Sequence, residues 1–493
     1  MRLRPTRDHK CPDGRRAIPD CLQAFPFTGR AVRIPRRSVI ILKMSPSGFT
    51  VFAFLMSSVV ALSDCRRPEL HPDAGVDSGD AGNLACIPSA ALETRCDGLD
   101  DDCDGLVDAR WHTLFTTTDE FSWSPTALRV DGGFLAVQFT PPGAASGYVA
   151  KLHAFDTQWQ PRAVGDDLHS LFAVSLVQTN SSHLLITGEY DPDAGMVVRA
   201  ARIDPSTARL ERSPDGGQLS WELLRPPLAW FPPAVRAVTS MDGESVIVAC
   251  VPWSAAGVTL VSFAPRSGIV TGPTTVPLDL SSVDEGALEI ASSSSNDVTL
   301  VAALTPPDGG DGYLQLLTTD SSLQAPAAPI QLLSSPMLRF TQIRLVFVPS
   351  PDAGHLALAY RTLGSALDAP GINVIEPLLP IPDAGPGTEW STSLRADGGV
   401  YLPWFDVELH DGRLQLAGKE QRFCSNGEKC GRVFTGAADG QKVMRSPADV
   451  TFPSWSLPGV NLIDGHDGWM TLLVPIVESD GGITMKALTY CAR

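Results

Sequence analysis

One unit recurs seven times along this chain, and that repeat limits the fold more than any other feature. Each copy is an apolar strand, a turn with Asp or Asn, and a second apolar strand. The copies span 126–139, 171–190, 234–251, 287–304, 341–360, 403–418 and 459–476. Their turn residues Asp131, Asn180, Asp242, Asp297, Asp352, Asp411 and Asp467 stand 49, 62, 55, 55, 59 and 56 residues apart. A hairpin unit at a period near 56 cannot bury both its faces alone, so neighbouring units must stack. A third apolar run follows each hairpin, at 147–156, 194–204, 257–265, 312–320, 371–380, 430–440 and 481–491. Fourth runs are weaker, as exposed edges are; VTGPTTVPLDL (270–280) is one. The pattern predicts an all-β, seven-bladed β-propeller. The last unit has no fourth run after it, and the unassigned run WHTLFTTT (111–118) is expected to supply that strand and close the ring.

Composition agrees. Gly 43 and Pro 41 make about 17% of the 493 residues, which favours short strands and turns over long helices. A hydrophobic fraction of 43% suffices for a core, and 19% charged residues excludes a coiled coil or a wholly disordered chain. Charge is unevenly placed. Residues 1–64 hold 11 Lys/Arg and 4 Asp/Glu, leaving 27 basic and 51 acidic residues from 65 onward, a formal −24 against −17 for the whole chain. A chain this acidic repels phosphate backbones, so no nucleic-acid partner is expected.

Residues 44–64, MSPSGFTVFAFLMSSVVALSD, contain an apolar stretch from Phe49 to Leu62. It is short for a spanning helix and suits the core of a signal peptide, with Arg33, Arg36, Arg37 and Lys43 upstream. Residues 1–43 read as a doubtful leader, with the true start expected near Val32 or at Met44. Cys65 follows the apolar run and precedes an Asp/Gly/Pro linker over 65–84. This arrangement resembles a bacterial lipoprotein, in which Cys65 is lipidated and the linker is a tether; Asp64 departs from the small residue of that pattern. Cleavage after Ala61-Leu62-Ser63, giving a soluble exported chain, is the other reading. A membrane partner is expected only through such an anchor.

Within residues 85–110 lies ETRCDGLDDDCDGLVD, from Glu93 to Asp108. Asp100, Asp102 and Asp104 alternate, Gly105 allows the sharp turn, the Leu106 carbonyl can add an oxygen, and Asp108 closes the run. This is the first half of a calcium loop. Trp111 stands where the bidentate Glu of such a loop belongs, so Ca²⁺ binding should be weak, roughly 10⁻⁴–10⁻³ M. The run resembles the short Asp/Cys-rich metal-binding repeat of bacterial exported proteins, a family named after a methanotroph copper-binding protein. The matching residues are Cys96, Asp97, Gly98, Asp100, Asp102, Cys103, Asp104, Gly105 and Asp108; Ala109 departs, and the resemblance covers only about residues 86–109. The resemblance implies copper, whereas the all-oxygen ligands suit Ca²⁺, Mg²⁺ or Mn²⁺ better. A solvated acidic turn without an ion is the bland alternative.

In an oxidising compartment Cys96 and Cys103 are expected to pair, though as thiolates they are also soft metal ligands. Cys424 and Cys430 flank an Asn426-Gly427 turn and can close a small loop. Cys491 ends the last strand run, so a bridge to Cys86 would tie the chain's two ends, and Cys250 in VIVACV reads as a buried free thiol. Sequence alone does not prove this connectivity.

No metalloprotease, serine-hydrolase, phosphate-loop or dinucleotide motif is present in the sequence. His410-Asp411 and His466-Asp467 sit at the repeated turn, and position explains them better than catalysis. The leading expectation is therefore an exported, membrane-anchored, divalent-metal-binding surface protein. Its propeller would act as a monomeric scaffold for a protein or glycan ligand. The alternative is a propeller hydrolase or lyase with a loop-built site. Clustered His, Arg and carboxylates at the central channel would favour the enzyme.

Overall fold

A computed structural model describes Pro88 and, from Ala109 to Cys491, the strands and part of their connections. These residues lie in the unit Asn83–Arg493. The leader, the signal segment 44–64, Cys65 and the linker 65–84 lie outside the described residues, as do Cys86 and the loop ligands Asp100, Asp102, Asp104, Leu106 and Asp108.

The first strand, β1 (Ala109–Thr117), belongs to the last blade. Blade one is β2 (Ala127–Val130), β3 (Gly133–Thr140), β4 (Tyr148–Asp156) and the first half of β5 (Pro161–Gln178). The second half of β5 opens blade two, followed by β6 (His183–Asp191), β7 (Gly195–Asp204), β8 (Arg209–Leu210) and β9 (Ser220–Leu224). Leu171 in mid-strand pairs with Tyr148 on one side and Glu189 on the other, so one strand serves two blades. That junction is absent from the sequence pattern.

Blade three is β10 (Ala234–Thr239), β11 (Val246–Val251), β12 (Val258–Ala264) and β13 (Ile269–Val276). Blade four is β14 (Leu288–Ser292), β15 (Asp297–Leu304), β16 (Gly312–Asp320) and β17 (Ile330–Ser335). Blade five is β18 (Arg339–Val348), β19 (His355–Leu363), β20 (Gly371–Leu378) and β21 (Thr388–Thr392). Blade six is β22 (Tyr401–His410), β23 (Arg413–Phe423), β24 (Lys429–Ala437) and β25 (Asp449–Val450). Blade seven is β26 (Asn461–Asp464), β27 (Trp469–Val477) and β28 (Ile483–Cys491). Its fourth strand is β1, antiparallel to β28 from Ala109↔Tyr490 to Thr117↔Ile483. The expected ring closure is present.

The core lies between blades, which is why the strands read as nearly continuous apolar runs. Each seam among the described residues has its own buried cluster: Leu135 and Leu185 between blades one and two, Val248 and Ile186 between two and three, and so on round the ring. The seam between blades seven and one holds Phe134, Trp159, Leu473 and Met485. There the indole of Trp159 stacks on Phe134 at 4.2 Å and donates to Thr471 Oγ1 at 3.2 Å. Seven seams for seven blades is the arithmetic of a closed ring; an open array would have one fewer. Turns also link blades. Asn180 donates from its backbone to the Gly243 carbonyl at 2.9 Å and from its side chain to the Asp242 carbonyl at 2.7 Å. Gly243 has a φ of +71°, and a Cβ there would collide with Asn180.

Cys250 is a buried free thiol, pushed up to about 12 by burial. Cys491 is disulfide-bonded, and its partner is not among the described residues. Cys96, Cys103 and Cys424 lie outside them, while Cys430 is placed in β24 opposite Arg422.

Candidate acid–base site in the central channel

The inner strand of each blade lines the channel, and charged residues interrupt these apolar strands at the repeat period. Arg236 on β10, Glu289 on β14, Arg344 on β18, Asp406 on β22 and Asn461 on β26 form a chain of contacts from blade to blade. Arg236 Nε stands 3.5 Å from Glu289 Oε1, and Arg344 reaches the same oxygen through Nη1 at 2.6 Å. Arg344 Nε donates to Asp406 Oδ1 at 2.6 Å. The other oxygen of Asp406 accepts from the Leu462 N–H at 2.8 Å and from Asn461 Nδ2 at 3.3 Å. Asn461 Oδ1 then accepts from the Ala127 N–H at 3.0 Å, carrying the chain into blade one. Burial alone would depress Arg344, but the two flanking carboxylates hold it above the usual arginine range. A guanidinium shared between two carboxylates compensates the desolvation that an isolated buried charge would suffer.

Two residues further along these strands the lining becomes asymmetric. Blades three, four and five carry Val238, Ala291 and Val346, which pack into the seams. Blade six carries Glu408. This half-buried carboxyl accepts a hydrogen bond from the Leu409 N–H at 3.2 Å. Burial pushes it up to about 8, the negative charges of Asp406 and Asp464 add to the rise, and the Leu409 N–H opposes it. Glu408 therefore holds its proton at neutral pH, as a general acid must.

His410 lies two residues beyond Glu408. Asp411 and Gly412 adopt φ values of 48° and 73°, so the turn reading accounts for them. It does not account for His410, which is buried and directs Nδ1 to Asp464 Oδ1 at 2.6 Å. The second oxygen of Asp464 pairs with Arg129 Nη1 from blade one at 3.0 Å. His466 and Asp467 lie outside the described residues. Blades six, seven and one thus bring together an arginine, a histidine and three carboxyl groups. Sequence reading picked out only His410, and discounted it. The available signal was a charged or amide residue recurring inside apolar inner strands, 53, 55, 62 and 55 residues apart from Arg236 to Asn461.

Two further basic side chains are buried in blades five and six. Arg361 on β19 sits 4.7 Å from the ring centre of Trp404 and is lowered to about 10 by burial. Lys419 on β23 is lowered to about 7 by burial. Among the described residues no group of three or more His, Cys, Asp or Glu is arranged to hold a metal ion.

No family model matches the sequence, and no curated protein matches it. Solved structures are similar in fold. An α-L-arabinofuranosidase of Fusarium graminearum is 9% identical over 65% of this chain and 92% of that one, with a TM-score of 0.38. The β-propeller domain of the trilobed protease of Pyrococcus furiosus is 8% identical over 73% and 90%, also at 0.38. An α-L-arabinanase of Penicillium chrysogenum is 11% identical over 65% and 93%, at 0.37. The assignment of seven blades rests on the strand pairing itself.

Proposed function

We propose that the propeller is an acid–base hydrolase of glycosidic linkages, working at the channel face of blades six, seven and one, with Glu408 as proton donor. The observation that carries this reading is the half-buried carboxyl of Glu408 set between the carboxylates of Asp406 and Asp464, whose charges and burial push it up to about 8. Glycosidic cleavage needs an acid to protonate the leaving oxygen and a nearby negative charge to stabilise an oxocarbenium-like transition state. Both are supplied here from adjacent inner strands. The full chain, assayed for new reducing ends on arabino-, xylo-, gluco- and galacto-oligosaccharides, should be active near neutrality. Glu408→Gln should lose about 10²–10⁴-fold in kcat. A Glu408→Gln chain as active as the parent would refute the assignment.

Export and metal binding are separate proposals that rest on sequence. We place lipidation at Cys65, tested by a diacylglycerol adduct in the intact mass of the membrane fraction. An unlipidated chain beginning at Asp64 would overturn it. We place a weak Ca²⁺ site at Asp100, Asp102, Asp104, Asp108 and the Leu106 carbonyl, and a Cys86–Cys491 bridge tying the chain's ends.

A further inference from the structure

We propose that His410 is the general base of the channel site, held by Asp464 so that Nε2 takes a proton from the water attacking an uncharged glycan. The inference rests on the reading of Glu408 as the acid. It begins with Nδ1, 2.6 Å from Asp464 Oδ1. A carboxylate only accepts, so Nδ1 carries the hydrogen, and in the neutral imidazole Nε2 then presents a lone pair. The imidazole is more than nine-tenths buried, with 8% of its side chain exposed, and Nε2 has no hydrogen-bond partner among the described residues. The closest carboxylate oxygen, Asp411 Oδ2, is 3.6 Å away, beyond hydrogen-bond reach, and is itself an acceptor. A lone pair left without a partner among the described residues is open to an O–H donor such as water.

The dyad is anchored on both sides. Arg129 from β2 holds the far oxygen of Asp464, so the imidazole is oriented by two neighbouring blades. Among the described residues, the charged and titratable groups around His410 include Asp464 on β26, Arg129 on β2, Glu408 and Asp411 on its own segment, and Arg413 opposite it in the hairpin. Glu408 and His410 stand at alternate positions of β22, and alternate positions leave a strand from the same face. Acid and base therefore project together. In the step, water gives a proton to His410 Nε2 as its oxygen bonds to the anomeric carbon. The bond to the leaving oxygen breaks, and that oxygen takes the proton of Glu408. Proton exchange with solvent then restores imidazole and carboxylic acid.

An uncharged substrate follows from the electrostatics. Arg344 and Arg129 are already matched by carboxylates, and the chain carries a formal −17, which disfavours a polyanion.

The test uses the full chain with histidine labelled in ¹⁵N. Nitrogen shifts of His410, assigned by comparison with His410→Asn, should show a protonated Nδ1 and a bare Nε2. Asp464→Asn should mix the tautomers. A hydrogen on Nε2 in the parent overturns the proposal without recourse to any activity. On the oligosaccharide panel His410→Asn should lose about 10²–10⁴-fold in kcat with KM little changed, and added imidazole should restore part of it. If Glu408→Gln is inactive while a folded His410→Asn keeps its kcat, His410 is not the base and the reading of Glu408 stands. If the parent cleaves none of the panel, that reading falls, and the role of His410 falls with it.

Discussion

Replacing Asp406 by Asn tests whether the inter-blade chain of charges holds the ring together. The substitution keeps shape but converts one carboxylate oxygen into an NH₂ donor. Asp406 Oδ1 accepts from Arg344 Nε and from its own neighbour's Val407 N–H at 3.0 Å, and Oδ2 accepts from Leu462 N–H and Asn461 Nδ2. In one orientation the new NH₂ faces the Arg344 donor; in the other it faces the Leu462 N–H. Either way, buried donors oppose one another, at about 1–3 kcal/mol for each group left unsatisfied. The lost charge adds to this. Arg344 keeps Glu289 at 2.6 Å, so the guanidinium is weakened rather than orphaned. We expect a loss of about 3–5 kcal/mol, the range for removing one partner of a buried pair. For a ring of this size that lowers Tm by about 4–6 °C. Calorimetric melting at neutral pH measures it. A double-mutant cycle with Arg344→Met should show coupling above about 1 kcal/mol. Asp406→Asn melting within about 1 °C of the parent would falsify the idea that these contacts couple the blades.

Deleting 109–117 should destabilise the whole ring and cause aggregation by exposing the edge of β28, whereas deleting 65–84 should leave melting unchanged; equal melting of parent and the first deletion would remove β1 from the ring. Cys491→Ser should also destabilise the fold, by up to about 4–5 kcal/mol of lost loop constraint, and an unchanged Tm argues against a bridge closing the chain. Acid should loosen the closure seam. Burial lowers both His112 on β1 and His153 on β4 to about 4, so the unfolded chain binds more protons between 6.5 and 4, and stability falls as pH drops through that window. Because protonation of His112 also removes the acceptor of the Arg110 Nε bond at 2.9 Å, His112→Gln should flatten the acid limb of the Tm profile; an unaltered limb speaks against the assignment. Glu408 works the other way: its raised value makes the fold less stable as pH rises from 4.5 through about 8, so Glu408→Gln should melt higher than the parent at about pH 9 and the same at about pH 4. Calorimetry on the full chain should find weak Ca²⁺ binding that Asp102→Ala abolishes, and copper binding indifferent to that change would exclude the oxygen site.

The ring was legible because its hairpins bury both faces between blades, leaving long apolar runs broken only at turns such as Asp131-Gly132-Gly133. The closing strand was legible by subtraction, as one apolar run without a hairpin. The first half of β5 was not. Arg162, Val164, Asp166 and Asp167 are exposed on an outer strand, and Lys151 pairs with Asp167 at 2.9 Å rather than with anything apolar. An outermost strand buries little, so it leaves little hydrophobic pattern to read. The channel groups were hidden for a different reason. A single Glu or Arg inside an apolar strand looks like an isolated exception until the units are stacked and the exceptions fall at one level of the ring.

That stacking also explains why the proton resides on blade six. In blades three to six the first level alternates Arg236, Glu289, Arg344 and Asp406, so each acid has a base beside it. At the next level stand Glu408 and Asp464, and Arg129 pairs with Asp464. Among the described residues these two levels thus hold four carboxyls, Glu289, Asp406, Glu408 and Asp464, against three guanidiniums, Arg236, Arg344 and Arg129. In a half-buried channel the surplus is relieved by protonation, because carrying three negative charges there costs more than retaining one proton. The group that retains it is the one flanked by the charges of Asp406 and Asp464. Glu408 is thereby kept as an acid by the same contacts that fasten blades five, six and seven together. Loosening Asp406 should lower both the melting temperature and the pH to which Glu408 holds its proton, two readouts that a purely structural ring would not join.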